Sequence, residues 1–462
     1  MRRIALLWLL VAVAGCSAAE ASPHTALADY VARPDGSFAW HAVARFSPPG
    51  AEVVVLNVVS QTWQNIAWKH RLFLIRPTDH PIESRQGLFV VSGGRWRDSY
   101  EQEPPAELPD DAKVFIEMAR RLDTVVAVLA QVPFQPMFDL REDDLIAYTF
   151  DRYLATGDPE WPLLLPMVKS VVRGMDATQA FASQEWHAAP ERFTVLGGSK
   201  RGWTTWLTGA VEPRAAALVP VVIDALNFAA HMPYQTTVWG APSPALEPYT
   251  KRGLIDILGS NRGRNLRTIV DPYSYRKRLR QPKLIVIATN DPYFPLDSLN
   301  LYWDALPTPK YILYAPNQGH GLNDFARLIP TLKAVHDSSA DGTPMPKMRW
   351  EFQRLDQALR LCLQAAPAPT AVVAWTAQSA DAGFVDAKFE PQPIAADDGT
   401  FVYDLAFPVQ GYGAVFAESA FGTGAARYTL STNVRITDPA GRAPSPLTAI
   451  RGERGVCPPA PH

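Results

Sequence analysis

The sequence predicts an α/β fold in two parts. The first is a mostly parallel sheet with helices on both faces and an insertion at its carboxyl edge. The second is a smaller C-terminal β-sandwich-like module. Three observations carry this reading. Short β-branched runs alternate with stretches of helical period through most of the chain. Clusters of glycine and polar residues fall just after those runs, at the strand ends where open parallel sheets bind ligands. Beyond about residue 340 the texture changes to brief alternating apolar runs broken by Gly, Pro and Asp. The expected boundaries are 36–340 for the first domain, 225–282 for its insertion, and 345–450 for the β module.

The chain opens with a targeting pattern. Met1-Arg2-Arg3 is basic, Ile4 to Ala14 is apolar, and V-A-G-C closes the segment at 13–16. The apolar run is about half the ~20 residues that span a bilayer. Small residues ending in cysteine resemble a bacterial lipobox, which makes Cys16 the expected lipidated residue and 1–16 a lipoprotein-type signal peptide. Val13 is less typical than leucine, so cleavage without lipid stands as the alternative. Ser17, where inner-membrane retention favours aspartate, fits outer-membrane sorting. The expected location is the cell envelope, with a membrane contact through the N-terminal lipid. Residues 17–35 read as a tether.

Strands are expected at 53–59, 71–75, 87–92 and 124–129, with a helix at 112–122 between the last two. A long helical pattern covers 163–181. Strands follow at 193–196, 215–223, 284–288 and 310–314. Residues 225–282, rich in proline, aromatics and arginine, interrupt that alternation and read as a cap. The runs at 371–375, 400–405, 413–417 and 428–436 belong to the β module. Cys362 and Cys457 are too few for a metal site, and either one disulfide or two thiols fits an exported chain.

Composition narrows the function. Apolar residues are 47% and charged residues 19%, which excludes disorder as the main state. A net charge of -2 gives no basic field for nucleic acid. There is no phosphate-binding or dinucleotide loop and no H-E-x-x-H, so neither cofactor nor metal is expected.

The chemistry-bearing motif is G-G-S-K-R-G at 197–202, between a strand and a helix. A sharp turn there exposes a nucleophile, and the following helix N-terminus favours developing negative charge. The strict G-x-S-x-G form would place glycine at 201, where Arg201 stands; the glycine comes at 202. Asp291 directly follows an apolar strand, and His320 lies between two glycines after the next. The chain order Ser199, acid, His320 is that of α/β-hydrolases. Ser199 would be the nucleophile, His320 the general base, and Asp291 the acid that orients it. Asp224, after the preceding strand, is the alternative acid, and Asp297 a weaker one. The Lys200 backbone N–H and the Gly94–Arg95 loop are the expected oxyanion donors. Arg201, Trp63 and Trp203 are candidate substrate contacts: Arg201 either meets an anionic group or pairs with carboxylates, and the tryptophans either line a sugar-binding cleft or, as is expected of most of them, pack in the core.

These segments resemble a known family. S-Q-T-W at 60–63, G-G-S-K-R-G-W-T-T-W at 197–206, V-I-D-A-L-N at 222–227, T-N-D-P-Y-F at 289–294 and P-N-Q-G-H-G-L at 316–322 are similar to the PhoPQ-activated pathogenicity-related protein family. L-A-D-Y-V at 27–31 matches its opening. The resemblance covers about 25 to 440 and implies an α/β-hydrolase-like fold with a C-terminal β module and no defined substrate. The elbow also resembles that of glucuronoyl esterases, whose acid can follow an earlier strand; this keeps Asp224 open and brings carbohydrate esters into range. The expected activity is that of a serine hydrolase, an esterase on small-molecule, carbohydrate or peptide esters. A peptidase or amidase on the same residues, or a non-catalytic envelope protein, is the alternative.

Overall fold

A computed structural model describes residues 22–79, 81–82, 84–187, 189–444 and 455–458. The leader expected at 1–16, with Cys16, lies outside them. The tether expected at 17–35 is in part packed structure. Helix α1 (Ala26–Ala32) buries Ala26, Leu27 and Tyr30 against the main core. The Tyr30 hydroxyl donates to Gln61 Oε1 at 2.7 Å, which fixes α1 to the sheet.

Three antiparallel strands follow: β1 (Ala39–Phe46), β2 (Ala51–Trp63) and β3 (Ile66–Pro77). Then come β4 (Gln86–Val91), α2 (Ala112–Leu122), β5 (Val126–Leu129), α3 (Glu142–Thr156), α4 (Leu164–Phe181), β6 (Arg192–Gly198), α5 (Lys200–Val211) and β7 (Ala215–Val221). Between β7 and β8 (Lys283–Ala288) the chain makes only helices: α6 (Phe228–Trp239), α7 (Glu247–Thr250), α8 (Leu254–Gly259), α9 (Arg264–Val270) and 3-10 turns. Strand β9 (Lys310–Ala315) and α10 (Phe325–Ala340) complete the domain. The spatial order is β1-β2-β3-β5-β4-β6-β7-β8-β9, with every pair from β5-β4 to β8-β9 parallel.

The parallel strands read as unbroken apolar runs because both faces are covered. Phe89, Ala127, Val195 and Ile285 face the core that holds α4 and α5. Leu88, Val126, Val219 and Val286 face the opposite core, where α2 and α10 pack. Successive residues of one strand thus enter different cores, as the two-residue period of a strand requires. This is the α/β-hydrolase arrangement that the sequence predicts.

The C-terminal module is all antiparallel. One sheet is β10 (Lys347–Arg354), β11 (Ala358–Ala366), β15 (Thr400–Ala406) and β14 (Ala396–Asp397). The other is β13 (Glu390–Ile394), β12 (Ala371–Ser379), β16 (Tyr412–Phe421) and β17 (Tyr428–Ser431), with β18 (Arg435–Thr437) also on β16. Leu359, Leu361 and Leu363 of the first sheet close on Val372, Ala374, Val415 and Ala417 of the second. Cys362 and Cys457 are disulfide-bonded, which resolves the alternative left open by sequence. The module also packs on the first domain: the Tyr314 and Phe416 rings lie 4.8 Å apart, and Arg327 forks onto Glu418 at 2.7 and 3.0 Å. Among the described residues, no helix is long and apolar enough to cross a membrane.

Candidate active site

Strand β6 ends at Gly198, and the chain turns into α5 within one residue. Ser199 makes that turn with φ 54° and ψ -128°. A non-glycine residue in this region carries strain on the order of 1–3 kcal/mol. Flanking hydrogen bonds hold it: Ser199 N–H donates to Val221 O at 2.8 Å, and Trp203 N–H to Ser199 O at 3.0 Å. The side chain is thereby presented at the carboxyl end of the sheet, over the N-terminus of α5.

Three predicted residues meet there. The Ser199 hydroxyl lies 2.9 Å from His320 Nε2. His320 Nδ1 lies 2.8 Å from Asp291 Oδ2. Asp291 Oδ1 accepts the Tyr293 backbone N–H at 2.9 Å, so one carboxylate oxygen is fixed by its own loop and the other faces the imidazole. A carboxylate only accepts, which puts the imidazole proton on Nδ1 and leaves Nε2 to accept from the serine. The Tyr293 ring lies 4.1 Å from the His320 ring at 30°, covering one of its faces.

Asp224 is not brought to His320. It is buried, accepting from Leu299 N–H at 3.0 Å and the Tyr302 hydroxyl at 2.7 Å. Burial pushes its pKa up to about 8, against the opposing pull of those two donors. Asp297 is likewise engaged elsewhere, accepting from the Tyr234 hydroxyl at 2.6 Å.

The other predicted residues divide. Lys200 opens α5, so its backbone N–H is at the helix N-terminus; its ammonium bridges Glu142 at 2.9 Å and Asp143 at 3.2 Å. Arg201 does not reach the cavity beside Ser199. It donates to Val132 O at 2.6 Å and Glu142 Oε1 at 2.8 Å, underneath Gly93. Arg201 is therefore corrected from a substrate contact to a brace between the elbow, the Gly93–Arg95 loop and α3. Gly94 and Arg95 are exposed on that loop, with Gly94 at φ 118° and its carbonyl held by Gln135 Nε2 at 2.8 Å. Trp203 lines the cavity and donates to Val270 O at 2.6 Å. Trp63 is corrected to a core residue. It is 2% exposed, packs edge-on against Trp68 and Trp161, and spends its N–H on Glu160 O.

Sequence reasoning missed Glu142 and Asp143. Burial alone would raise Glu142, but the Arg201 hydrogen bond and the Arg201 and Lys200 charges outweigh it and hold the carboxyl at about 2. Glu142 is thus ionised, and its pairs with Lys200 and Arg201 lock α3 to the elbow. The signal was the acidic run Glu142-Asp143-Asp144 opening a helix.

Beside Ser199 lies a cavity of about 60 Å³. Its floor is Trp203 and Ile223; its far wall is Phe228, Met232, Leu246 and Leu258 from the 225–282 insertion. Asp143 and Lys200 bring charge to the lining and Tyr249 and Tyr293 bring hydroxyls, while burial keeps His231 neutral by pushing its pKa down to about 3. Among the described residues there is no cluster of side chains that could hold a metal.

With this geometry in view, residues 27–386 match the family model of the PhoPQ-activated pathogenicity-related proteins. The chain belongs to the PhoPQ-activated pathogenicity-related protein family. This member is 35% identical over 313 residues to autocrine proliferation repressor protein A of Dictyostelium discoideum, a match covering 64% of this chain and 61% of that one. Among solved structures, acetyl xylan esterase 1 from Thermoanaerobacterium sp. JW/SL YS485 is similar at 14% identity and a TM-score of 0.44, covering 68% of this chain and 92% of the other. An S-formylglutathione hydrolase from Agrobacterium tumefaciens is similar at 15% identity and a TM-score of 0.40, covering 64% and 99%.

Proposed function

We propose that this family member is an exported serine esterase acting through an acyl-enzyme. One observation carries the reading: the unbroken contact chain from Ser199 through His320 to Asp291, at 2.9 and 2.8 Å, on a strained elbow. Ser199 Oγ attacks the ester carbonyl while His320 Nε2 takes its proton. Asp291 stabilises the imidazolium and holds the ring in register. The carbonyl oxygen becomes an oxyanion facing the Lys200 N–H and the Gly94–Arg95 loop. On collapse, His320 returns the proton to the departing alcohol, leaving the acyl group on Ser199. A water deprotonated by His320 then releases the acid.

The narrow, mostly apolar cavity takes the acyl side and favours a short chain. The alcohol side faces the open loops, where a carbohydrate fits without a deep pocket. The leader supports delivery to the envelope with Cys16 as the lipid-bearing residue.

Fluorophosphonate labelling with mass spectrometry tests the core of the proposal. The adduct is expected on Ser199 and is expected to vanish in Ser199→Ala. A folded chain that takes no label at Ser199, and hydrolyses no p-nitrophenyl ester, would remove the enzymatic reading and leave the binding-protein alternative.

A further inference from the structure

Both loops that carry the catalytic pair are tied to the same turn of the C-terminal module. Asn290 immediately precedes Asp291. Its side-chain amide donates to the carbonyls of Phe384, Val385 and Ala387 at 3.1, 3.0 and 2.7 Å. Asn317 lies three residues before His320. It makes a two-way pair with the Phe389 backbone: Nδ2 donates to the carbonyl at 3.0 Å, and Oδ1 accepts the N–H at 2.7 Å.

The two loops are also knitted to each other. Asn290 N–H donates to Gln318 O at 3.0 Å, and Asn317 N–H to Thr289 Oγ1 at 2.8 Å. The turn itself is anchored from below, because Phe384 and Phe389 are fully buried and Phe389 packs on Phe416 of β16. It reaches the cap as well. A Cβ on Gly383 would lie 2.0 Å from Trp239 Nε1 of α6, so the turn passes this helix with no room to spare. One short segment, 383–389, therefore touches the acid loop, the histidine loop and the cap.

Loops lie on the surface and move more than the elements they join. A triad needs its members held within about 0.5 Å of working geometry. The five bonds from Asn290 and Asn317 supply that restraint from outside the hydrolase domain. We infer that the 383–389 turn of the β module is a positioning element of the active site, acting on Asp291 and His320 through Asn290 and Asn317. The module is then part of the catalytic machinery's support and not a separable appendage. This inference rests on the serine-hydrolase reading.

The test uses the full chain, with Asn290→Ala and Asn317→Gly measured beside the unchanged protein. Asn317 sits at φ 58°, which glycine keeps, so Asn317→Gly removes the latch without straining the backbone. It carries the test if Asn290→Ala does not fold. On p-nitrophenyl acetate, kcat is expected to fall about 10- to 100-fold, the loss that misplacement of about 1 Å brings. KM is expected to stay within about two-fold, and the fluorophosphonate labelling rate of Ser199 to fall in parallel with kcat. Thermal unfolding should show a folded chain. In an Asp291→Asn background, Asn290→Ala is expected to change the residual rate by less than about two-fold, because Asn290 acts through Asp291.

Folded variants that label at the unchanged rate would overturn the inference alone. So would an effect of full size in the Asp291→Asn background, which marks general loosening. An unchanged chain that neither labels nor hydrolyses overturns the hydrolase reading, and this inference with it.

Discussion

A Cβ placed on Gly197 would lie 2.4 Å from the carbonyl oxygen of Arg201. Strand β6 and the first turn of α5 touch there with no side chain between them. Gly202 is as tight: its Cβ would lie 2.8 Å from Gly197 O and 2.7 Å from Ile223 Cγ2. The glycine displaced from 201 to 202 thus still closes the elbow, and Arg201 turns its side chain away to the brace. Gly198 is different, with nothing within 4 Å of its Cβ position and no positive φ. Gly197→Ala and Gly202→Ala are expected to lower soluble yield and reduce ester hydrolysis by at least about ten-fold, since overpacking typically costs about 1–3 kcal/mol and here falls on the turn that carries Ser199. Gly198→Ala is expected to retain both within about two-fold. Yield, thermal midpoint and p-nitrophenyl acetate turnover of the three variants check this. Equal damage at 198 would mean that composition, not close approach, selects glycine here.

The contact chain sorts the acidic candidates by function. Ser199→Ala and His320→Ala are expected to lower kcat by at least about 10⁴-fold, and Asp291→Asn by about 10³- to 10⁴-fold, following the behaviour of such triads. Asp224→Asn is expected to stay within about ten-fold, because Asp224 contacts Leu299 and Tyr302 and not His320. Steady-state kinetics on one activated ester decide it. A larger loss in Asp224→Asn than in Asp291→Asn would reverse the assignment.

Asp224 also makes a prediction about stability. Its folded pKa, raised by burial from an ordinary 3.8 to about 8, means that the native state keeps a proton that the unfolded state has released. Its favourable contribution is complete below about pH 4 and is lost progressively as pH rises toward 8. Asparagine cannot titrate. The stability deficit of Asp224→Asn relative to the unchanged chain is therefore expected to be largest near pH 4 and to shrink or reverse by pH 8.5. Denaturant midpoints of the two proteins across that range measure it. A deficit that is constant with pH would show that Asp224 is ionised throughout.

What the sequence shows and what it hides follow from where each signal lives. Strands β4 to β9 are legible because both faces are buried, so each is a compact apolar run. Strand β1 is invisible because it is a largely exposed edge, with no burial to write a pattern. Ser199, Asp291 and His320 are legible because each sits where a strand ends. Trp63 misleads because a buried aromatic cluster and a binding cleft use the same residue type. Asn290 and Asn317 are visible only as motif letters, since their partners lie 94 to 97 and 72 positions away in another module. The Arg201–Glu142 brace spans 59 positions, and neither half signals the other.

The cap gives a prediction about substrate. The cavity beside Ser199 holds about 60 Å³, room for a few waters or a short acyl chain. Met232 of α6 forms part of its apolar wall and is 7% exposed. A longer acyl group has to displace that wall, and each methylene in such a pocket is worth about 1–3 kcal/mol of discrimination. p-Nitrophenyl acetate and propionate are therefore expected to show kcat/KM at least about 100-fold above octanoate. Met232→Ala shortens the wall without touching Ser199, His320 or Asp291. It is expected to raise the butyrate-to-acetate ratio of kcat/KM by about ten-fold, while the fluorophosphonate labelling rate stays near that of the unchanged chain. A flat chain-length profile in both proteins would mean that the acyl group binds outside this cavity. A shifted profile would place it against the cap, with the open loop side left to the alcohol.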